Sequence, residues 1–164
     1  VQAESGELNF LVGGAADALD AVRPLLAAMG RSITHLGLLG CGARLKLINN
    51  FVCGVQVAAL AEAIAMIERG GFDRAQALAV LTGGAPGGPL VKAVAARMTT
   101  PDYTPNFLLR LMAKDLAYAR REAAALGLDL DTAAAALGLF QAGIAAGHGE
   151  QDLAAVIEPL RDPR

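Results

Sequence analysis

From Gly42 to about Arg69 the chain contains no proline and only one interior glycine, Gly54. A stretch of that length without another breaker commits this part of the chain to one long helix, ended by Gly70-Gly71. Its most apolar section, Phe51 to Ile67, carries only Gln56 and Glu62 as strongly polar residues. That section is at the short edge of a bilayer span and has a carboxylate two-thirds of the way along. The expectation is therefore a mostly buried central helix of a soluble all-α domain, with no membrane partner. A helix too apolar to face water all round also predicts self-association.

Composition supports a helical fold. The chain is 54% hydrophobic but only 4% aromatic, and its apolar share is mostly Ala, Leu and Val. That excludes a disordered chain and favours close-packed helices over an aromatic-rich sandwich. A formal net charge of −2 leaves no basic footprint for nucleic acid. Cys41 and Cys53 cannot form the framework of a small secreted domain. On one helix they are roughly 18 Å apart, too far to pair. A reducing, cytoplasmic setting is expected.

Around the long helix the chain reads as short elements. Leu8, Phe10 and Val12 alternate as in a strand closed by Gly13-Gly14. A strand without a partner suggests a sheet continuing upstream of Val1. Ala16 to Met29 reads as an amphipathic helix stopped at Gly30, and Ser32 to Gly37 as a second strand. Beyond Gly71, Asp73 is expected to cap a helix to Leu81, followed by a glycine-rich loop, Thr82 to Pro89, and a helix from Leu90 to Met98. Asn106 is expected to cap Phe107 to Leu126, Asp131 a helix to Ala146, and Asp152 a last helix to about Leu160, with a frayed end at Pro163. The domains expected are 1–39, a strand–helix–strand, and 40–164, all helical.

The most informative stretch is Gly40-Cys41-Gly42-Ala43-Arg44-Leu45-Lys46-Leu47-Ile48-Asn49-Asn50. Two glycines open the helix and allow close approach of another backbone or a ligand. Lys46 and Asn50, four apart, share one helix face, with Asn49 beside them. A cation and an amide on an otherwise apolar helix are costly unless something polar meets them. Either Lys46 snorkels to the surface and Asn50 bonds a neighbouring backbone, or both serve a site.

This stretch resembles the Gly-x-Gly-x-x-x-Lys-x-x-Asn-Asn/Gln signature of the β-hydroxyacid dehydrogenases. That family includes 3-hydroxyisobutyrate dehydrogenase, tartronate semialdehyde reductase and the glyoxylate/succinic semialdehyde reductases. Gly6 to Gly14 is similar to the family's strand that closes the Rossmann domain. Phe107 to Leu116 is similar to its Phe-x-x-x-x-x-x-Lys-Asp-Leu segment, and Gly147 to Asp152 fits as well. The matches run in family order over nearly the whole chain.

The resemblance implies a mainly α, 6-phosphogluconate-dehydrogenase C-terminal-like helical domain behind a remnant of a Rossmann domain. Its expected partners are that N-terminal domain, a small hydroxyacid or semialdehyde, NAD or NADP, and further copies in a homodimer or tetramer. The glycine-rich fingerprint and the Ser-Gly-Gly substrate element are expected upstream of Val1, so the isolated chain is expected to be inactive. By resemblance Lys46 is the general acid/base, and burial beside Leu45, Leu47 and Phe51 is expected to lower its pKa. Asn50 would orient the substrate hydroxyl or carboxylate, and Lys114 would reach the cofactor near the nicotinamide ribose or else is a surface lysine paired with Asp115 or Glu122. Asp115 is expected to hold helix geometry or a neighbouring cation. Phe107 lines the pocket or the core. Asn49, Gly83 and Gly84 are further pocket candidates. His35 and His148 have no partner at metal-ligand spacing, so no metal is expected. The alternative is a non-catalytic helical dimerisation or binding module.

Overall fold

A computed structural model describes residues 4–162, and the end expected to fray at Pro163 lies outside them. The chain divides into two compact units, Val1–Asn49 and Asn50–Arg164. In order, the elements are β1 (Leu8–Val12), α1 (Ala16–Ala27), β2 (Gly30–His35), α2 (Cys41–Arg69), α3 (Arg74–Gly83), α4 (Pro89–Thr99), α5 (Leu109–Ala125), α6 (Asp131–Ala145), a 3-10 turn (Leu153–Ile157) and α7 (Glu158–Arg161). The long helix α2 begins in the first unit and ends in the second.

In the first unit β1 and β2 pair in parallel, with Phe10 opposite Ile33 and Val12 opposite His35. Parallel neighbours need a crossover, and α1 supplies it. The partner that β1 was expected to lack is thus β2. α1 stops at Ala27, and Gly30 opens β2 instead of ending the helix. One of the two glycines at the start of α2 is required by packing: a Cβ on Gly42 would sit 2.2 Å from the Leu11 carbonyl oxygen. The close approach is thus Gly42 to the backbone of β1, whereas Gly40, with φ of 90°, has open space around it.

The second unit packs α4, α5, α6 and the 3-10 turn with the second half of α2 around Ile64, Met98, Leu109, Leu116, Phe140 and Ile157, all fully buried. Gly54 marks the crossing of α2 and α5, since a Cβ there would lie 2.9 Å from Met112 Sδ and 3.0 Å from a Leu116 methyl. A glycine in a helix interior costs about 1 kcal/mol against alanine; here it lets two helices touch. α2 is long and apolar enough to cross a membrane, with 44% of its most apolar window buried inside the protein. It is buried on one face only, through Val57, Leu60, Ala61 and Ile64. Val52 (44%) and Met66 (72%) stay exposed, so the expected mostly buried helix is corrected.

Two expected caps are also corrected. Asp73 does cap α3, accepting from the Gln76 N–H at 2.9 Å. Asn106 caps nothing: α5 starts at Leu109, and the N–H groups of Asn106 and Phe107 donate to Asp152 Oδ2. The next two α5 donors, Leu109 and Arg110, reach the carbonyls of Gln151 and Gly149. Asp131 sits inside the first turn of α6, after an N-cap, Leu130, without a side-chain bond. Asp152 caps the 3-10 turn through the Ala154 N–H, and the single last helix expected is split into that turn and α7.

Candidate active site

The i,i+4 spacing places Lys46 and Asn50 one turn apart on α2, and their surroundings differ. Lys46 is exposed, as is Asn49, and Leu45 and Ile48 beside it are exposed as well. The burial expected for Lys46 is therefore not provided, because Leu45 is itself exposed and Leu47 and Phe51 are only half-buried. Asn50 is 9% exposed. Its amide nitrogen donates to Asp115 Oδ2 at 2.6 Å, so its polar partner includes a carboxylate and not only neighbouring main chain.

Asp115 is delivered by α5 at the crossing marked by Gly54, between Met112 and Leu116. Its other oxygen, Oδ1, lies 3.1 Å from Lys114 Nζ. Of its two expected roles, holding a neighbouring cation is what the geometry shows. Lys114 itself is largely exposed, with its ammonium 5.6 Å from the centre of the Tyr118 ring, and Arg121 lies 4.5 Å from the same ring. Asn50, Asp115 and Lys114 thus form one assembly of amide, carboxylate and ammonium. The bond between Asp115 and Asn50 was not foreseen. Its signal was an acid at a core position of an amphipathic helix, where burial demands a donor.

The remaining candidates lie elsewhere. Phe107 is half-buried against the core of the second unit, which favours its packing role. Gly83 and Gly84 are exposed at the C-terminal end of α3. His35 Nε2 lies 2.8 Å from the Gly14 carbonyl oxygen and His148 Nδ1 2.8 Å from Gln151 Oε1. Among the described residues no three metal-ligating side chains converge.

Two polar networks hold α5 and α2 in place within the second unit. Asp152, 2% exposed, accepts from the backbone of Asn106, Phe107 and Ala154 and faces Arg97 Nε at 3.2 Å. Its local role as a cap was legible, but its grip on the start of α5 was not. At the end of α2, Arg161 donates to both Glu68 oxygens and to Glu158, which also accepts from the Tyr103 hydroxyl. The hydrogen bond from Arg161 holds the Glu68 carboxyl below its ordinary range. Burial, then the bond to Glu158, pushes the Tyr103 phenol well above its usual value.

Residues 40–160 match the family model for the NAD-binding domain of NADP-dependent 3-hydroxyisobutyrate dehydrogenase, and residues 1–37 match the NAD binding domain of 6-phosphogluconate dehydrogenase. The chain belongs to the β-hydroxyacid dehydrogenase family. Within it, the chain is 35% identical over 169 residues to the NAD-dependent L-serine dehydrogenase of Pseudomonas aeruginosa, covering 98% of this chain and 56% of that enzyme. Mycobacterium tuberculosis 3-hydroxyisobutyrate dehydrogenase, solved with L-serine, superposes with a TM-score of 0.87 at 32% identity, covering 98% of this chain and 57% of that one. The 3-hydroxyisobutyrate dehydrogenase from Salmonella typhimurium gives a TM-score of 0.87 at 30% identity, over 96% and 55%. The chain spans about half the length of the curated relatives it matches.

The family models are those of NAD- or NADP-using oxidoreductases, so the fit of this β-hydroxyacid dehydrogenase chain to a dinucleotide can be tested on its own residues. Lys114 has the chemistry for it, an exposed ammonium able to meet a hydroxyl- or phosphate-bearing group, and its pairing with Asp115 is equally that of a surface lysine. The start of α1 does not fit, because Asp17 places a carboxylate in the first turn, where a pyrophosphate would otherwise be received.

Proposed function

We propose that this chain is the substrate-side part of an NAD(P)-dependent oxidoreductase that interconverts a small β-hydroxyacid and its semialdehyde. Residues 1–39 would complete a Rossmann cofactor domain of the same protein, and residues 40–164 would form the helical substrate and dimerisation domain. The observation that carries this is the assembly of Asn50, one turn beyond Lys46 on α2, with Asp115 and Lys114 of α5. An assembly module alone has no need of a buried amide held by a carboxylate.

The nicotinamide, when bound, supplies the hydride acceptor or donor for the carbon bearing the hydroxyl. Lys46 takes the hydroxyl proton during oxidation and returns it during reduction. As an ammonium it also offsets charge that develops on the oxygen. Since Lys46 is exposed in this chain, the exclusion of water that strengthens such an interaction falls to the cofactor domain, a second subunit or the substrate. Asn50 orients the substrate hydroxyl or carboxylate, and Lys114 holds the cofactor. Asn49, exposed beside Asn50, can face the substrate. Phe107, Gly83 and Gly84 are secondary lining candidates. L-Serine, named for two of the relatives above, is itself a β-hydroxyacid and belongs to the proposed substrate class.

A homodimer or tetramer, in the cytoplasm and without nucleic-acid or membrane partners, completes the proposal. The exposed face of α2 around Val52 and Met66 favours such assembly, and it is also what supports the second reading, a non-catalytic dimerisation module. The deciding experiment is NAD(P)H oxidation by the full-length protein against a panel of small semialdehydes, with Lys46→Ala alongside. Loss of turnover by about 10²- to 10⁴-fold in the variant, with cofactor affinity kept, is the expected result. A variant as fast as wild type, or a parent that binds cofactor and turns over nothing, puts the assembly module ahead.

A further inference from the structure

We infer that Asp115 is the positioning residue of this site, fixing which way the Asn50 amide faces and where the Lys114 ammonium rests. This deepens the reading of Asn50 and Lys114 given above and rests on it. The two oxygens of Asp115 divide their work, Oδ2 accepting from Asn50 at 2.6 Å and Oδ1 meeting Lys114 at 3.1 Å. Asp115 and Asn50 are both buried, so water competes little for the bond between them, while the contact with the exposed Lys114 is the weaker of the two. It is also delivered by rigid backbone. Gly54, one turn beyond Asn50, packs against Met112 and Leu116, which flank Asp115 on α5. Neither helix can shift along the other here without opening the core.

The chemistry of the acceptor gives the direction. An asparagine amide can rotate to exchange its nitrogen and oxygen, presenting a donor or an acceptor on either side. An ionised carboxylate only accepts, so the Asn50 nitrogen has to face Asp115 and the carbonyl oxygen is turned the other way. An amide at position 115 would have a single oxygen, able to serve Asn50 or Lys114 but not both at this spacing. The charge on Asp115 is what keeps both groups in place at once.

The test is a swap in the full-length enzyme, comparing wild type, Asp115→Asn, Asn50→Asp and the Asn50→Asp/Asp115→Asn double variant. The swap rebuilds a bond between the helices with donor and acceptor exchanged. If the pair were only a tie between helices, Asp115→Asn would lower Tm and leave kcat at that of wild type, measured where the variant stays folded. A positioning role lowers kcat in Asp115→Asn under the same conditions, while the swap reports on the tie through Tm alone. The expected result is a fall in kcat of roughly ten- to hundredfold for Asp115→Asn, larger than any change in KM, with the swap regaining Tm. A wild-type kcat in Asp115→Asn overturns the inference. A measurement on the wild-type chain needs no variant and no turnover: the Asn50 side-chain amide protons in a ¹⁵N-labelled sample. A dispersed, slowly exchanging pair is expected, and a pair at the position of a solvated asparagine refutes the fixed amide. Absence of turnover with every semialdehyde would count against the proposed function, while the amide signal would still decide the role of Asp115.

Discussion

Truncating Asp152 tests the claim that one buried carboxylate sets where α5 begins. Asp152→Ala removes the acceptor of three backbone N–H groups, those of Asn106, Phe107 and Ala154, and the carboxylate facing Arg97 Nε. Each part-buried N–H left without a partner costs about 1 kcal/mol, toward the low end of the range because Asn106 can be rehydrated. The guanidinium costs more: its Nε is buried, and breaking a buried ion pair from one side costs about 3–5 kcal/mol. These losses overlap, since Arg97 also donates to the Thr104 carbonyl, and a total of about 4–6 kcal/mol is the working figure. That is comparable to the whole stability of a modest domain. Asp152→Asn keeps one oxygen for the Asn106 and Phe107 N–H groups but loses the charge facing Arg97 and turns an NH2 toward the Ala154 N–H, so about 3–5 kcal/mol is expected. Urea unfolding followed by far-UV circular dichroism measures both. An Asp152→Ala variant that unfolds within about 1 kcal/mol of wild type, or an Asp152→Asn variant as stable as wild type, refutes this, since either result removes the ion pair as a source of stability.

Further outcomes follow from the same structure. Because Arg161 holds the Glu68 carboxyl below its ordinary value of 4.5, the stability from this pair is present above that pH and is lost as pH falls through the lower folded value. Glu68→Gln therefore loses less stability than wild type between neutral pH and acid, measured by urea melts at stepped pH. Tyr103 shifts the other way: its phenol is raised above the ordinary value of 10.0, so its contribution is present below that pH and declines as pH rises beyond it. Tyr103→Phe should flatten the alkaline arm of the same stability profile, and an unchanged arm would show that another group governs it. Gly42→Ala, whose methyl would sit 2.2 Å from the Leu11 carbonyl, should lower Tm by more than an alanine gained in a helix can restore. The isolated chain of 164 residues is expected to show no NADH-dependent rate with any small semialdehyde, and a clear rate would overturn the proposed need for a separate cofactor domain.

Much of the fold was legible because its signals are local. The uninterrupted run after Gly42 specifies a long helix, and Asp73 caps α3 from three residues away. Alternation in Leu8 to Val12 marks a strand through side chains that face opposite ways. The spacing of Lys46 and Asn50 likewise specifies one turn of helix, so their relation along α2 needs no tertiary contact. Caps failed where a distant group did the work. Asn106 has the right chemistry to cap α5, but Asp152, 46 residues away, takes the donors. Burial failed in the same way. Apolar composition pointed to a mostly buried α2, whereas neighbouring helices cover one face and leave Met66 and Lys46 in water. The sequence by itself determined which segments are helices and which polar residues they carry. The tertiary structure alone decided which of those polar residues are buried and what meets them. Helix formation is governed by groups within four residues of each other, whereas the partner of a buried charge such as Asp115 is chosen by how helices far apart in sequence cross.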